Sequence, residues 1–185
     1  MKLWIPAAAL TLLMLSCADK PTPKPKGYFR IALPDKSYDT LQTRCPYQFE
    51  VNEVSRWHPK ENCWGDLRYP GLRATFQFTY KSVQRHKIDT LLNEAHSMAY
   101  EHTVRASAIE EDLIYDDSAE VYGLIYRLKG AAATPFQFFL TDSSQHFLRG
   151  ALYYYASPNA DSLRPVNRFM EEELEHMVET FKWKN

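Results

Sequence analysis

Leu72-Arg73-Ala74-Thr75-Phe76-Gln77-Phe78-Thr79-Tyr80-Lys81 alternates apolar and polar side chains without a break. Successive strand residues point to opposite faces. A period of two therefore puts Leu72, Ala74, Phe76, Phe78 and Tyr80 on a buried face and their neighbours in water. Such a strand belongs to an antiparallel sheet packed on one side. Working outward, Phe136-Gln137-Phe138-Phe139-Leu140 is apolar on both faces apart from Gln137, which predicts a central strand covered on both sides. Residues 147–155 return beside it after the polar turn 141–145, with Gly150 marking a bulge or the close approach of another group. Ile109, Leu113 and Tyr115 predict a further strand, Asp116-Asp117-Ser118 a turn, and residues 121–128 the returning strand of a hairpin.

On the N-terminal side, residues 28–33 form a short apolar run stopped by Pro34, and 46–52 alternates Tyr47, Phe49 and Val51 with polar residues. Both predict strands, whereas 53–70 reads as irregular. Two segments carry helical spacing instead. Ile88, Leu91, Leu92, Ala95, Met98, Ala99 and His102 mark a helix over 88–105. Val166, Phe169, Met170, Leu174, Met177, Val178 and Phe181 mark a last helix, capped by Asp161 or Ser162 with Pro165 in its first turn. Glu171, Glu172, Glu173 and Glu175 form its wet face. The order is three strands, helix, four strands, helix. The fold class is α+β: a single, mostly antiparallel, twisted sheet of about seven strands with two long helices packed on it. A similar order occurs in the Mog1/PsbP-like sandwich, an analogy of topology that carries no activity.

The N-terminus sets the compartment. Lys2 precedes an apolar run of about 13 residues, against the roughly 20 that a membrane-crossing helix needs. Residues 1–16 read as a signal peptide. Met14-Leu15-Ser16-Cys17 resembles a bacterial lipobox, with Met14 where leucine is usual. On that reading Cys17 is the lipidated first residue of the mature chain; the alternative is an ordinary signal with a chance cysteine. Diacylglycerol and an amide-linked chain together suffice for stable anchoring. Residues 17–27 hold Pro21, Pro23 and Pro25 among Lys20, Lys24 and Lys26, an extended tether at about 3.1 Å per residue. Residues 28–185 form one globular domain. Cys45 and Cys63 remain, in an oxidising compartment most simply as a disulfide, with a metal pair or two free thiols as the alternatives.

Chemistry is sparse. A formal charge of −1 offers nothing to nucleic acid. Six glycines and no GxGxxG, Walker, GxSxG or HExxH pattern leave no phosphate cradle and no recognised catalytic motif, and no cofactor is expected. His102 lies on the apolar stripe and reads as a hydrogen-bonded core histidine. Asp142, Ser144 and His146 share one turn, where local hydrogen bonding is the better reading than a triad. His176 and Glu172 read as a surface helix pair. Glu110-Glu111-Asp112 reads as a solvated edge that discourages strand addition. Tyr153-Tyr154-Tyr155 must expose at least one ring, and Arg149 shares the parity of Tyr153 and Tyr155. These residues form either a partner-binding patch or plain sheet packing.

Several segments together resemble one family. They are Gly27-Tyr28-Phe29-Arg30-Ile31-Ala32-Leu33-Pro34, Cys45-Pro46, Cys63-Trp64, Ala99-Tyr100-Glu101-His102-Thr103, the 106–111 segment, 137–143, His146-Phe147-Leu148-Arg149-Gly150-Ala151-Leu152-Tyr153 and Lys182-Trp183-Lys184. In this order, across nearly the whole mature chain, they resemble the gliding motility lipoprotein GldD family of Bacteroidetes. The resemblance implies a non-enzymatic outer-membrane lipoprotein required for gliding and linked to type IX secretion. Its partners would be the membrane and other gliding or secretion envelope proteins. Only Cys17 transfers with a defined role. A second expectation, from another class, is a small-molecule-binding lipoprotein or hydrolase with a pocket near His102, Arg149 and Tyr153.

Overall fold

The computed structural model describes residues 31–101, 106–130, 132–155 and 160–184, with side chains described from Leu163 onward in the last segment. The strands are β1 (Tyr38–Thr40), β2 (Tyr47–Gln48), β3 (Glu50–Asn52), β4 (Arg56–Pro59), β5 (Gly65–Tyr69), β6 (Ala74–Ser82), β7 (Ala106–Asp116), β8 (Val121–Gly130), β9 (Phe136–Thr141), β10 (His146–Tyr154) and β11 (Lys182–Trp183). Helix α1 (Ile88–Tyr100) follows β6, and α2 (Ala160–Glu179) precedes β11. Seven strands make the main sheet, in the order β4-β5-β6-β10-β9-β8-β7. Every pair in it is antiparallel. The fold is the α+β class that the strand and helix periods predict.

The two helices bury opposite faces of this sheet. On one, Phe76, Phe78, Phe138, Leu140, Leu148 and Leu152 meet Val166, Phe169, Met170, Leu174 and Met177 of α2. On the other, Leu91, Ala95 and Ala99 of α1 meet Tyr126, Leu128, Phe139 and Phe147. Phe136, Phe138 and Leu140 of β9 serve the first cluster and Phe139 the second, and all six residues of the strand are buried. Each fully buried large side chain contributes about 1.5–3 kcal/mol. Phe138 lies so close to β10 that a Cβ built on Gly150 would stand 2.3 Å from its ring. Of the two options for that glycine, the structure has the close approach.

The segment 53–70 is more regular than expected. It supplies β4 and β5, joined by a turn in which Asn62 and Cys63 both have positive φ. The disulfide Cys45–Cys63 forms, with Cα atoms 5.4 Å apart. Across that loop it is worth about 3 kcal/mol on the chain-entropy account. It holds this turn against β2, and Tyr47 adds a hydrogen bond from its hydroxyl to the Cys63 carbonyl at 2.8 Å.

Other expectations need correction. Residues 31–37 carry no regular structure, and the first strand begins at Tyr38; residues 28–30 lie outside the described ones. The run 46–52 splits into β2 and β3, which pair with β11 and β1 in two separate two-stranded sheets. Pro165 sits in the second turn of α2, not the first. Glu173 is 1% exposed rather than solvated. It accepts hydrogen bonds from Tyr38, Asn52 and Tyr69, so α2 clamps the N-terminal arm to the sheet. His176 pairs with Glu50 instead of Glu172 and stacks on Tyr38 with ring centroids 3.7 Å apart.

Candidate interaction site

Antiparallel registers align side chains in rows across the sheet, and the α1 face carries the predicted site. Arg149 stands opposite Thr79 on one side and Phe139 on the other. Its Nη2 donates to Gln137 Oε1 at 2.5 Å, and Gln137 Nε2 donates to Thr134 Oγ1 at 3.1 Å. Among the described residues no carboxylate pairs with this half-buried cation. Burial pulls its pKa below the usual guanidinium value, opposed by Tyr153 and Tyr126. Tyr153 lies on the same face, half-buried, where β10 begins to clear the helix.

Tyr155 lies just past the end of β10, 55% exposed, with its backbone N–H donated to the Arg73 carbonyl at 2.9 Å. Tyr154 turns to the α2 face, where burial raises its phenol pKa. The structure thus brings Arg149 and Tyr153 together and holds Tyr155 at the same end. His102 and Cys17 lie outside the described residues. The cavity against Arg149 is about 60 Å³, bounded by Thr79, Leu91, Ala95, Met98 and Phe147. That is space for about two waters, far below the roughly 300 Å³ at which small-molecule pockets begin.

The tempting Asp142, Ser144 and His146 turn is a local hydrogen-bond device. Asp142 Oδ1 accepts from the backbone N–H of Ser144, Gln145 and His146 at 2.8–3.0 Å. His146 Nδ1 and the Tyr80 hydroxyl share a hydrogen bond of 2.7 Å, and the imidazole stacks on Trp183. No group of three or more His, Cys, Asp or Glu side chains among the described residues is placed to hold a metal. No helix among them is long and apolar enough to cross a membrane.

Two features escape the sequence reading. A groove of about 640 Å³ runs beside the disulfide, walled by Trp64, Tyr80, Lys81, Arg85 and His86. Trp64 is fixed in it by a hydrogen bond from Nε1 to the Tyr80 carbonyl at 2.8 Å. The second is an apolar stripe on β7; the edge itself is expected from Glu110-Glu111-Asp112, and its outer side pairs with no strand among the described residues. Leu113 there is 77% exposed and Tyr115 68% exposed. The acidic residues Asp112 and Asp116 flanking Leu113-Ile114-Tyr115 were the available signal for an apolar stripe on a free edge.

These features define a disulfide-clipped α+β domain that presents aromatic and apolar side chains on its surface. The family described as gliding motility lipoprotein GldD matches residues 18–183, and the chain belongs to that family. No curated protein matches it. Family membership brings with it a gliding-motility lipoprotein of the cell envelope.

Proposed function

We propose that this protein is a non-enzymatic assembly component of the gliding machinery, anchored through lipidated Cys17 and linked to type IX secretion. The signal peptide is residues 1–16, residues 17–27 are the tether, and residues 28–185 are a single docking domain. The membrane is the outer membrane, and the partners are other envelope proteins of the same machinery. The family match over residues 18–183 carries this reading. Surface chemistry supports it: Leu113, Tyr115 and Tyr155 are exposed on a well-packed domain, and exposed aromatic rings are the anchors that protein interfaces favour. Arg149, Tyr153 and Tyr155 are the proposed docking residues, together with His102, which lies outside the described residues.

Deletion of the gene, scored for surface movement and protein secretion together, tests the role. Loss of both is expected. Complementation by Cys17→Ala should fail while the protein accumulates folded, because the globular part begins beyond the tether. Normal movement and secretion in the deletion strain would refute the assignment. Full rescue by Cys17→Ala would refute the anchor.

A further inference from the structure

The two ends of the main sheet differ. At one, β4 has four residues and ends in Pro59, a device that blunts an edge. At the other, β7 runs for 11 residues and pairs only with β8 among the described residues. Its outward N–H and C=O groups form an open ladder. The two faces of this edge differ in chemistry. On the α1 face stand Ile109, Glu111, Leu113 and Tyr115; Leu113 lies beside Leu124, and Tyr115 packs on Tyr122 with ring centroids 5.4 Å apart. On the α2 face stand Glu110, Asp112, Ile114 and Asp116.

β7 is itself acidic: it carries Glu110, Glu111, Asp112 and Asp116 and no Lys or Arg. Arg127 is shared among Asp112, Glu171 and Glu175, and Lys129 answers Glu110. Arg164 and Arg168 of α2 line the same groove as Arg127, Lys129 and Glu171, so the excess of acid belongs to the β7 edge itself. Side chains of an added strand would alternate between the same two faces. One set would lie beside exposed Leu113 and Tyr115, the other beside the carboxylates. Acidic residues on an edge repel apolar strands of low charge, but they complement a basic one.

We infer that β7 is a strand-addition site for an extended protein segment that alternates basic and apolar residues. This deepens the docking role proposed above and rests on it for its biological setting, but the binding itself is testable without it. Main-chain hydrogen bonds supply affinity in this mode, and the alternate side chains supply selectivity.

The probe is a fluorescent nonapeptide alternating lysine and valine, titrated onto the full chain in non-ionic detergent. Only one alternate set of its amides can face β7. N-methylation of the lysine amides and of the valine amides, in two separate peptides, should therefore differ. One is expected to weaken binding at least about tenfold and the other to match the parent. Leu113→Lys, at an exposed position that spares the core, should weaken the parent peptide to a similar degree with an unchanged circular dichroism spectrum. A peptide with glutamate in place of lysine should not bind.

Absence of parent binding would overturn the inference, as would equal binding of both methylated peptides or indifference to Leu113→Lys. So would a dimer by light scattering that Leu113→Lys dissolves while the peptide fails to bind, since the edge would then be a self-association surface. Failed peptide binding alongside a clear deletion phenotype sinks this inference alone. Peptide binding without a deletion phenotype sinks the motility role alone.

Discussion

Tyr69 on β5 donates its hydroxyl proton to Glu173 on α2 across 2.9 Å, and both side chains are buried. Glu173 Oε1 receives Tyr38 at 3.0 Å and Asn52 at 3.2 Å, so among the described residues three donors and no cation surround one carboxylate. A buried acceptor removed from such a network leaves its donors unsatisfied, which costs more than the bonds themselves contribute. Glu173→Ala should therefore lower the unfolding free energy by about 3 kcal/mol in urea melts. Glu173→Gln should cost about 1–2 kcal/mol, because one oxygen becomes an NH2 that faces a donor. Equal stability of the two variants would show that the network contributes only shape.

The same tyrosines set an alkaline limit. Burial, aided by Glu173, raises the Tyr69 phenol far above its ordinary value, and burial does the same for Tyr47 and Tyr154. Burial, and then the nearby Glu111, push Tyr126 up to about 12. A phenol with a raised folded-state pKa keeps its proton in the native protein and loses it first in the unfolded chain. The stabilisation is thus complete below the ordinary value of about 10 and is lost as pH rises above it. For Tyr47, Tyr69 and Tyr154 the loss is about 1.4 kcal/mol per group per pH unit. Phenolate absorbance should show these groups ionising together with loss of near-ultraviolet dichroism. Smooth ionisation near pH 10 in an intact fold would contradict the burial.

Much of this arrangement is legible in the chain, and the misses have physical causes. The period of two in 72–81 and the two-sided apolar run 136–140 mark β6 and β9 because their side chains report burial directly. Glu173 was hidden by composition: it sits among Glu171, Glu172 and Glu175, which resemble a wet face. Its spacing told otherwise, since it falls three residues after Met170 and four before Met177, on the apolar stripe. The β5 alternation of Leu67 and Tyr69 with Asp66 and Arg68 was masked by Pro59, Asn62 and Pro70, which read as loop. Of the proposed docking patch, parity required an exposed ring among Tyr153, Tyr154 and Tyr155 without choosing between Tyr153 and Tyr155, whereas the Gln137 partner of Arg149 came only with the register of β9 on β10.

Two glycines separate a yielding neighbour from an unyielding one. A Cβ on Gly150 would stand 2.3 Å from the Phe138 ring, while one on Gly123 would stand 2.0 Å from the Phe139 carbonyl oxygen. A ring in a packed core can shift at a cost of about 1–3 kcal/mol. A carbonyl of the central strand cannot move without breaking its ladder. Gly150→Ala should fold with a lowered melting temperature, and Phe138→Leu in the same chain should restore part of the loss. Gly123→Ala should yield little soluble protein, with no rescue by substitution at Phe139. Equal behaviour of the two alanine variants would mean that β8 and β9 separate more easily than their register suggests.

The proposed docking patch makes its own demand on Tyr155. Its ring is more than half exposed, and among the described residues its one hydrogen bond runs from its backbone N–H to the Arg73 carbonyl. Tyr155→Ser therefore removes surface without opening a cavity, and its unfolding free energy should stay within about 0.5 kcal/mol of the parent. Half-buried Tyr153, beside Arg149, is different: Tyr153→Ser removes packing as well and should cost about 1–2 kcal/mol. If the patch binds an envelope partner, crosslinking followed by recovery of the lipoprotein should yield several-fold less partner from the Tyr155→Ser strain at equal protein abundance. Gliding should weaken in parallel, since a hot-spot aromatic carries a large share of an interface. Undiminished crosslinks and movement with Tyr155→Ser, alongside a loss in the Leu113→Lys strain, would move the docking role from the end of β10 to the β7 edge.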